Sequence, residues 1–350
     1  MAIAPLPTFD LLLPGLIPTQ RLDAAVAPLP RLPALELLLA RGDRSTLDET
    51  AADRWLMRRF GVNTSGELPA GALSLLGDDG QPGDACWLRA DPVHLRVNGD
   101  QLILGGPGVF AISQGDAETF TDALNRHFAE DGFVFYPLRP ERWYLRAPAP
   151  PAILTTPLGE AVGRHIDPLL PRGPDALAWH RLGNEIQMLL HGVPLNAERE
   201  SGGVLAVNSV WLWGAGPLPA VPEHPYALVI ANDPVACGLA RAAACAAKAP
   251  DRDIRSLLSD RAPGDVLWYD PSLDLARAYG HDVGLAAALE RLEQTVFAPL
   301  LEDLKGGKIE RIRIVTFSDT GGVCFETTRA SLWRFWRSAV ALSQFAGRSA

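Results

Sequence analysis

Apolar runs bounded by proline, glycine and capping residues divide the chain into alternating short strands and helices. Residues 9–17 are apolar and interrupted by Pro14-Gly15, which predicts a buried first strand ending at that pair. Pro33 opens a helix whose Leu35, Leu38 and Leu39 share a face, and Gly42 closes it. Thr46 with Glu49 has the spacing of a capping box, predicting a second helix that carries Trp55, Leu56 and Phe60. Both helices are expected to cover a sheet. Residues 93–97 and 101–104 flank Asn98-Gly99, the dipeptide of a tight hairpin, so this sheet is expected to be mixed.

The second half repeats the strand-then-helix rhythm. Residues 226–231 are continuously apolar, Asn232 or Asp233 can cap, Pro234 suits a first helical turn, and residues 235–248 are alanine-rich and helix-forming. Residues 266–269 read as another strand. Leu285, Leu289, Leu292 and Val296 form a helical stripe, and residues 309–317 supply a further strand ending at 318–322. Ligands of open parallel sheets gather at such strand ends. Between these halves the rhythm changes. A helix over Phe120, Leu124 and Phe128, the segments 133–136 and 143–146, and the stiff turn at Pro148, Pro150 and Pro151 read as a separate lobe. The expected fold is α/β, a largely parallel sheet flanked by helices, with an inserted α+β lobe. Residues 1–109 and 218–350 are assigned to the discontinuous core and 110–217 to the lobe.

At 350 residues the chain can bury one large core or two moderate ones. A net charge of -9 offers no footprint for nucleic acid, since phosphate neutralisation needs clustered cations. Cys86, Cys237, Cys245 and Cys324 show no C-x-x-C spacing, which suits free thiols in a reducing compartment. The apolar start lacks a basic flank and falls short of a bilayer span, so a cytoplasmic protein without membrane contact is expected.

Candidate chemistry concentrates in residues 191–216, HGVPLNAERESGGVLAVNSVWLWGAG, where Asn196, Arg199, Asn208 and the Gly214-x-Gly216 turn surround one bulky strand. The backbone amides of 214–217 are expected to face a ligand. Arg142 and Arg199 are candidates to fork around a carboxylate or phosphate, with Asn196 and Asn208 adding neutral hydrogen bonds. The alternative pairs Arg199 with Glu198 or Glu200 at the surface and uses both asparagines as turn caps. Trp211 and Trp213 read as core. Asp91 and His94 are candidates for a coupled pair at the base of a cleft, although Asp before Pro92 is also an ordinary turn former. His127, His165, His180 and His224 have no metal-like spacing.

The order of Arg142-Trp143-Tyr144, Asn184-Glu185, Pro194-x-Asn196-x-x-Arg199 and NSVWLWGAG from Asn208 resembles the archaeal-type cofactor-independent phosphoglycerate mutases. Over nearly its whole length the chain also resembles proteobacterial proteins named after a regulator of pathogenicity factors, with WLRADPVHL at 87–95 as a further mark. The mutase resemblance implies an alkaline-phosphatase-like fold, a substrate-gripping lobe, two divalent cations (Mn, Mg or Zn) and a Ser or Thr nucleophile that carries phosphate. Where the family's first strand ends in a metal-binding Asp-Gly, this chain has Pro14-Gly15. Asp319 matches a family Asp-His pair whose His is replaced by Thr320, and Asp274 and His281 are candidate remnants of a segment bearing Asp and His. No serine matches the nucleophile region; Ser45 and Ser74 have no claim to it, and no catalytic residue is assigned.

So reduced a donor set is too poor for a hard divalent cation to give up its water. Each missing component of such a site commonly removes about 3 kcal/mol or more of barrier lowering. No cofactor is therefore expected. The expected function is that of a phosphoglycerate-mutase-like binding or regulatory pseudoenzyme taking a small phosphorylated or carboxylated metabolite. The alternatives are an active mutase or phosphomonoester hydrolase with relocated ligands, and a protein-interaction scaffold contacting an unspecified partner through a helix around Trp333, Phe335 and Trp336. Such a helix more often packs into its own core.

Overall fold

The computed structural model describes residues 6–17, 29–258, 264–278, 282–318 and 321–345. Its strands are β1 Thr8–Leu12, β2 Asp43–Leu47, β3 Cys86–Asn98, β4 Gln101–Gly105, β5 Val134–Arg139, β6 Arg142–Ala147, β7 Ser209–Gly216, β8 Leu228–Ala231, β9 Ala246–Lys248, β10 Val266–Tyr269, β11 Arg311–Ser318 and β12 Gly321–Thr328. The chain divides into two compact units, residues 1–62 with 221–350 and residues 63–220.

The first unit is built on a seven-stranded sheet in the order β2-β12-β11-β1-β10-β8-β9. Its centre is parallel: β1 runs between β10 and β11, with Phe9 beside both Val266 and Ile312. The mixed character arises at one edge, where β12 is antiparallel to β11 and to β2. Every residue of β1, β8 and β10 is buried, as expected of strands covered on both faces. Phe9, Leu11, Ile230, Trp268, Ile312 and Ile314 share one core with Leu35 and Leu38 of the helix Pro33–Arg41. The stripe Leu285, Leu289, Leu292 and Val296 joins the same core. Each such fully buried side chain contributes about 1.5–3 kcal/mol of transfer free energy.

On the opposite face lies a charged cluster. Asp10 alternates with Phe9 and Leu11 and is 0% exposed. It accepts from Arg313 Nε at 2.5 Å and Nη2 at 2.9 Å and from the Tyr226 hydroxyl at 2.6 Å. Arg59, from the helix Ala52–Arg59, stands 3.7 Å away.

The second unit is an antiparallel sheet in the order β4-β3-β6-β5, with β7 also paired to β3. One face packs Leu88, Ala90, Trp143, Leu145 and Leu212 against Phe120 and Leu124 of the helix Gln114–His127 and Ile186 and Leu190 of the helix Ala176–His191. On the helix Ala70–Gly77, Gly71 comes so close to β3 that a Cβ there would lie 2.5 Å from the Trp87 carbonyl oxygen.

Several sequence expectations are corrected here. The lobe begins at Asn63 and not at 110, because the hairpin β3–β4 pairs with β6 and β7 and so belongs to the lobe sheet. Thr46 caps no helix: it lies in β2, and the helix that carries Trp55 and Leu56 starts at Ala52 behind Ala51. Sheet pairing to β12 overrides the local capping pattern. The helix after β8 is capped by Asp233, which accepts from Ala236 N, but it ends at Ala242, and 246–248 pair with β8 as β9. Around Trp333 there is only a single 3-10 turn, Ser331–Trp333, and the aromatic residues are exposed. No described helix is long and apolar enough to cross a membrane.

Candidate functional site

Within the lobe, the residues expected to grip an anion are engaged by the protein itself. Arg199, on the helix Pro194–Ser201, is buried and donates to Asp116 Oδ2 at 2.7 Å, Ala111 O at 2.7 Å and Leu205 O at 3.1 Å. Glu198 and Glu200 are not its partners. Asn196 is also buried: its amide nitrogen donates to Leu190 O and Val207 O, and its oxygen accepts from Val207 N. Asn208 clamps both backbone groups of Leu95. These two side chains close main-chain gaps between elements rather than cap simple turns. Asp91 and His94, three apart on one strand, point to opposite faces and share no partner. Asp91 takes Arg89 and Trp213 Nε1, while His94 Nδ1 meets Ala206 O.

Arg142 holds Asp78 bidentately, at 2.8 and 2.7 Å, and the Tyr144 hydroxyl adds 2.6 Å to the same carboxylate. Arg142 and Arg199 therefore serve separate carboxylates. Beside this group, Arg89 lies between the rings of Tyr144 and Trp213, 5.6 and 5.4 Å from their centroids, and donates to Ser74. Burial raises the Asp78 carboxyl, but the Arg142 guanidinium and Tyr144 hydroxyl more than reverse this and leave it below its ordinary value. A lowered folded value means that its contribution is fully present above the unfolded pKa of about 3.9 and is lost as pH falls through the folded value. The stability advantage of the wild type over Asp78→Asn is thus expected to shrink on acidification below pH 4. Paired denaturant titrations at pH 7 and pH 3 check this; a constant difference contradicts it.

The Gly214-x-Gly216 segment is part of β7 and not a loop. Its amides do face an anion, but that anion is Glu67. Glu67 Oε1 accepts from Gly214 N at 3.0 Å, Ala215 N at 3.1 Å and the Thr155 hydroxyl, and Oε2 accepts from Thr155 N at 2.8 Å. Burial pushes this carboxyl up against the pull of those donors. Gly214 adopts φ +74°, and a Cβ there would lie 2.8 Å from Ala70 Cβ, so glycine is required for close packing.

At the C-terminal ends of the parallel strands the first unit has a cleft of about 280 Å3 lined by Asn232, Tyr269, Asp270, Ser272 and Arg291. Arg291 reaches Asp270 through Nη2 at 2.9 Å, and the other Asp270 oxygen accepts from Ser272 N. The Ser272 hydroxyl is buried without a hydrogen-bond partner among the described residues. Burial raises the Tyr269 hydroxyl well above its ordinary pKa, as do the charges of Asp233, Asp53 and Asp274, with Asp53 accepting its hydrogen bond. Sequence reasoning gave no site role to Asp53, Arg291 or Asp233, the last read only as a helix cap, and the three come from different helices or caps. The only available signal was the general rule that ligands collect at parallel strand ends.

Pro14-Gly15 ends β1 beside this region. A Cβ on Gly15 would lie 2.7 Å from Asp274 Cα, so the backbone of the helix Ser272–Ala278 packs directly on the strand end. Of the three candidate metal residues only Asp274 can be placed; His281 and Asp319 lie outside the described residues. Among the described residues no group of three or more His, Cys, Asp or Glu converges to hold an ion. The four cysteines are free, with Cys86 buried and the others half-buried.

Fold and site define an α/β protein with a largely parallel sheet and a cleft at its strand ends. No protein-family model matches the chain. It is similar to the 2,3-bisphosphoglycerate-independent phosphoglycerate mutase of Methanosarcina mazei, 29% identical over 208 residues, which cover 54% of this chain and 49% of that protein. The Methanosarcina acetivorans enzyme of the same name is 29% identical over 205 residues, again 54% and 49%. The chain spans about half the length of these curated relatives in the matched stretch. Among solved structures, a Pyrococcus horikoshii protein shares the fold with a TM-score of 0.54 at 15% identity, covering 93% of this chain and 88% of that one.

Proposed function

We propose that this chain is a phosphoglycerate-mutase-like protein without phosphoryl transfer, a regulatory or binding pseudoenzyme that takes a small phosphorylated or carboxylated anion in the strand-end cleft. The observation that carries the reading is the Ser272 hydroxyl, buried and without a hydrogen-bond partner among the described residues, on a cleft that also presents Arg291 and Asn232. A buried polar group without a partner is costly and calls for an acceptor or donor from outside. Arg291 uses one nitrogen for Asp270, and a guanidinium has further donors for an oxyanion. The mutase similarity supports the phosphoglycerate-like ligand class, and Pro14 at the end of β1 supports the loss of turnover. Kinship with the proteobacterial proteins named after a regulator of pathogenicity factors is part of the same reading.

The test joins metal analysis of the purified protein to an enolase-coupled assay with 3-phosphoglycerate. Substoichiometric metal and no turnover above the blank are expected. Near-stoichiometric Mn, Mg or Zn together with turnover that Asp319→Ala abolishes would establish the active mutase instead. For the ligand, 3-phosphoglycerate at about 100 times its Kd is expected to stabilise the wild type by roughly 2.7 kcal/mol, and Arg291→Ala to lose that increment. An unchanged melting temperature in the wild type across millimolar ligand removes the binding reading.

A further inference from the structure

The edge strand β2 ends the seven-stranded sheet, and among the described residues its backbone pairs only with β12. An unpaired strand edge is a row of free donors and acceptors that proteins normally cover or blunt. Here the neighbouring surface is the reverse of blunt. Arg334 donates to Arg41 O and to both Asp43 oxygens, and Arg337 donates to Gly42 O, which fixes residues 331–337 across the start of β2. With the arginines turned inward, Trp333, Phe335 and Trp336 are left 77%, 78% and 69% exposed. Phe335 and Trp336 stack edge-on at 5.3 Å. Adjoining them is an open groove of about 510 Å3 floored by Leu39, Ala40, Phe325, Val340 and Phe345.

We infer that a second copy of this chain docks on this edge, β2 pairing antiparallel with β2 about a two-fold axis and the aromatic clusters being covered by the opposite copy. The area is of the right size. An aromatic side chain presents about 150–250 Å2, so the three exposed rings offer roughly 350–550 Å2 per copy. That equals or exceeds the few hundred Å2 of apolar patch a monomer usually shows. Counted on both copies it reaches on the order of 1,000 Å2 before the strand edges are added, against about 1,200–2,000 Å2 for a stable interface. Two identical edge strands joined in one sheet by a two-fold axis normal to it run antiparallel. A two-fold axis also makes the convex rings and the neighbouring groove of one copy available to those of the other, the self-complementarity an isologous dimer needs.

Sedimentation of the full chain across 1–100 µM is expected to show a dimer. The triple variant Trp333→Ser, Phe335→Ser, Trp336→Ser changes only exposed rings and is expected to keep the circular dichroism of the wild type while raising the dimer Kd by roughly 30-fold or more. A spin label at Ser45→Cys, on a background with the four native cysteines changed to Ser or Ala, is expected to report an inter-copy distance set by one strand spacing of about 5 Å and a few residue steps of about 3.3 Å, plus the label arms. A wild type that stays monomeric at 100 µM overturns the inference. So does a dimer that survives the triple variant, or one whose labels at 45 are far apart, since the contact then lies elsewhere.

Discussion

Arg313→Ala is expected to destabilise the first unit by about 3–5 kcal/mol, because it strands a buried carboxylate. Asp10 sits in the middle of β1, between two parallel neighbours, with no access to water. Its charge is tolerable only because Arg313 delivers two hydrogen bonds while the Tyr226 hydroxyl supplies a third. Arg59, at 3.7 Å, is too far to substitute for a bidentate fork. Thermal and urea unfolding read the loss. The double variant Asp10→Leu, Arg313→Met is expected to recover most of it, since an apolar replacement removes the unpaired charge together with its partner. A cost under 1 kcal/mol for Arg313→Ala would mean that water reaches the Asp10 carboxylate.

Gly71→Ala carries the second largest effect and has the opposite sign to the usual rule. On a helix, alanine in place of glycine ordinarily stabilises, by up to about 0.8–1 kcal/mol at interior positions and less in the first turn, where Gly71 lies. Gly71 sits on a buried helix whose backbone rests on β3, and the added Cβ would meet the Trp87 carbonyl oxygen at 2.5 Å and Leu88 Cα at 2.6 Å. Both obstacles are backbone, so neither can rotate away. The helix must lift from the strand, which costs about 1–3 kcal/mol and sometimes more in overpacked sites. Gly66→Ala, where a Cβ would meet nothing within 4 Å, is the control and is expected to be near neutral. A stabilised Gly71→Ala protein would mean that the helix is not seated on β3.

The parallel core was legible because burial on both faces leaves a simple trace. β8 and β10 read as apolar runs, β1 as one broken by Asp10, and the Leu285 to Val296 stripe repeats with a helical period. Misreadings occurred where a long-range contact outweighed a local pattern. Thr46 and Glu49 have capping spacing, yet Thr46 pairs with Val323, more than 250 residues away. The lobe boundary was misplaced for the same reason: β3 precedes the change of rhythm but finds its partners in β6 and β7. At the candidate site, Arg142, Asn196, Arg199 and Asn208 read in the sequence as ligands for an anion, with a surface pair and turn caps as the alternative, and the fold instead engages all four internally. Their partners Asp78, Asp116, Val207 and Leu95 were not legible, because nothing in a sequence tells an arginine waiting for a ligand from one already holding an aspartate. The strand-end cleft was missed at the level of residues. Its lining comes from the ends of separate elements, each contributing one or two polar side chains without a periodic signature.

Glu67 gives the lobe a tethered competitor. Its carboxylate already occupies the amides of Gly214, Ala215 and Thr155, and attachment to the same chain holds it there at an effective concentration of about millimolar or higher. A free metabolite at micromolar levels would lose that contest, so the glycine segment is deaf to circulating anions for as long as this one side chain stays in place.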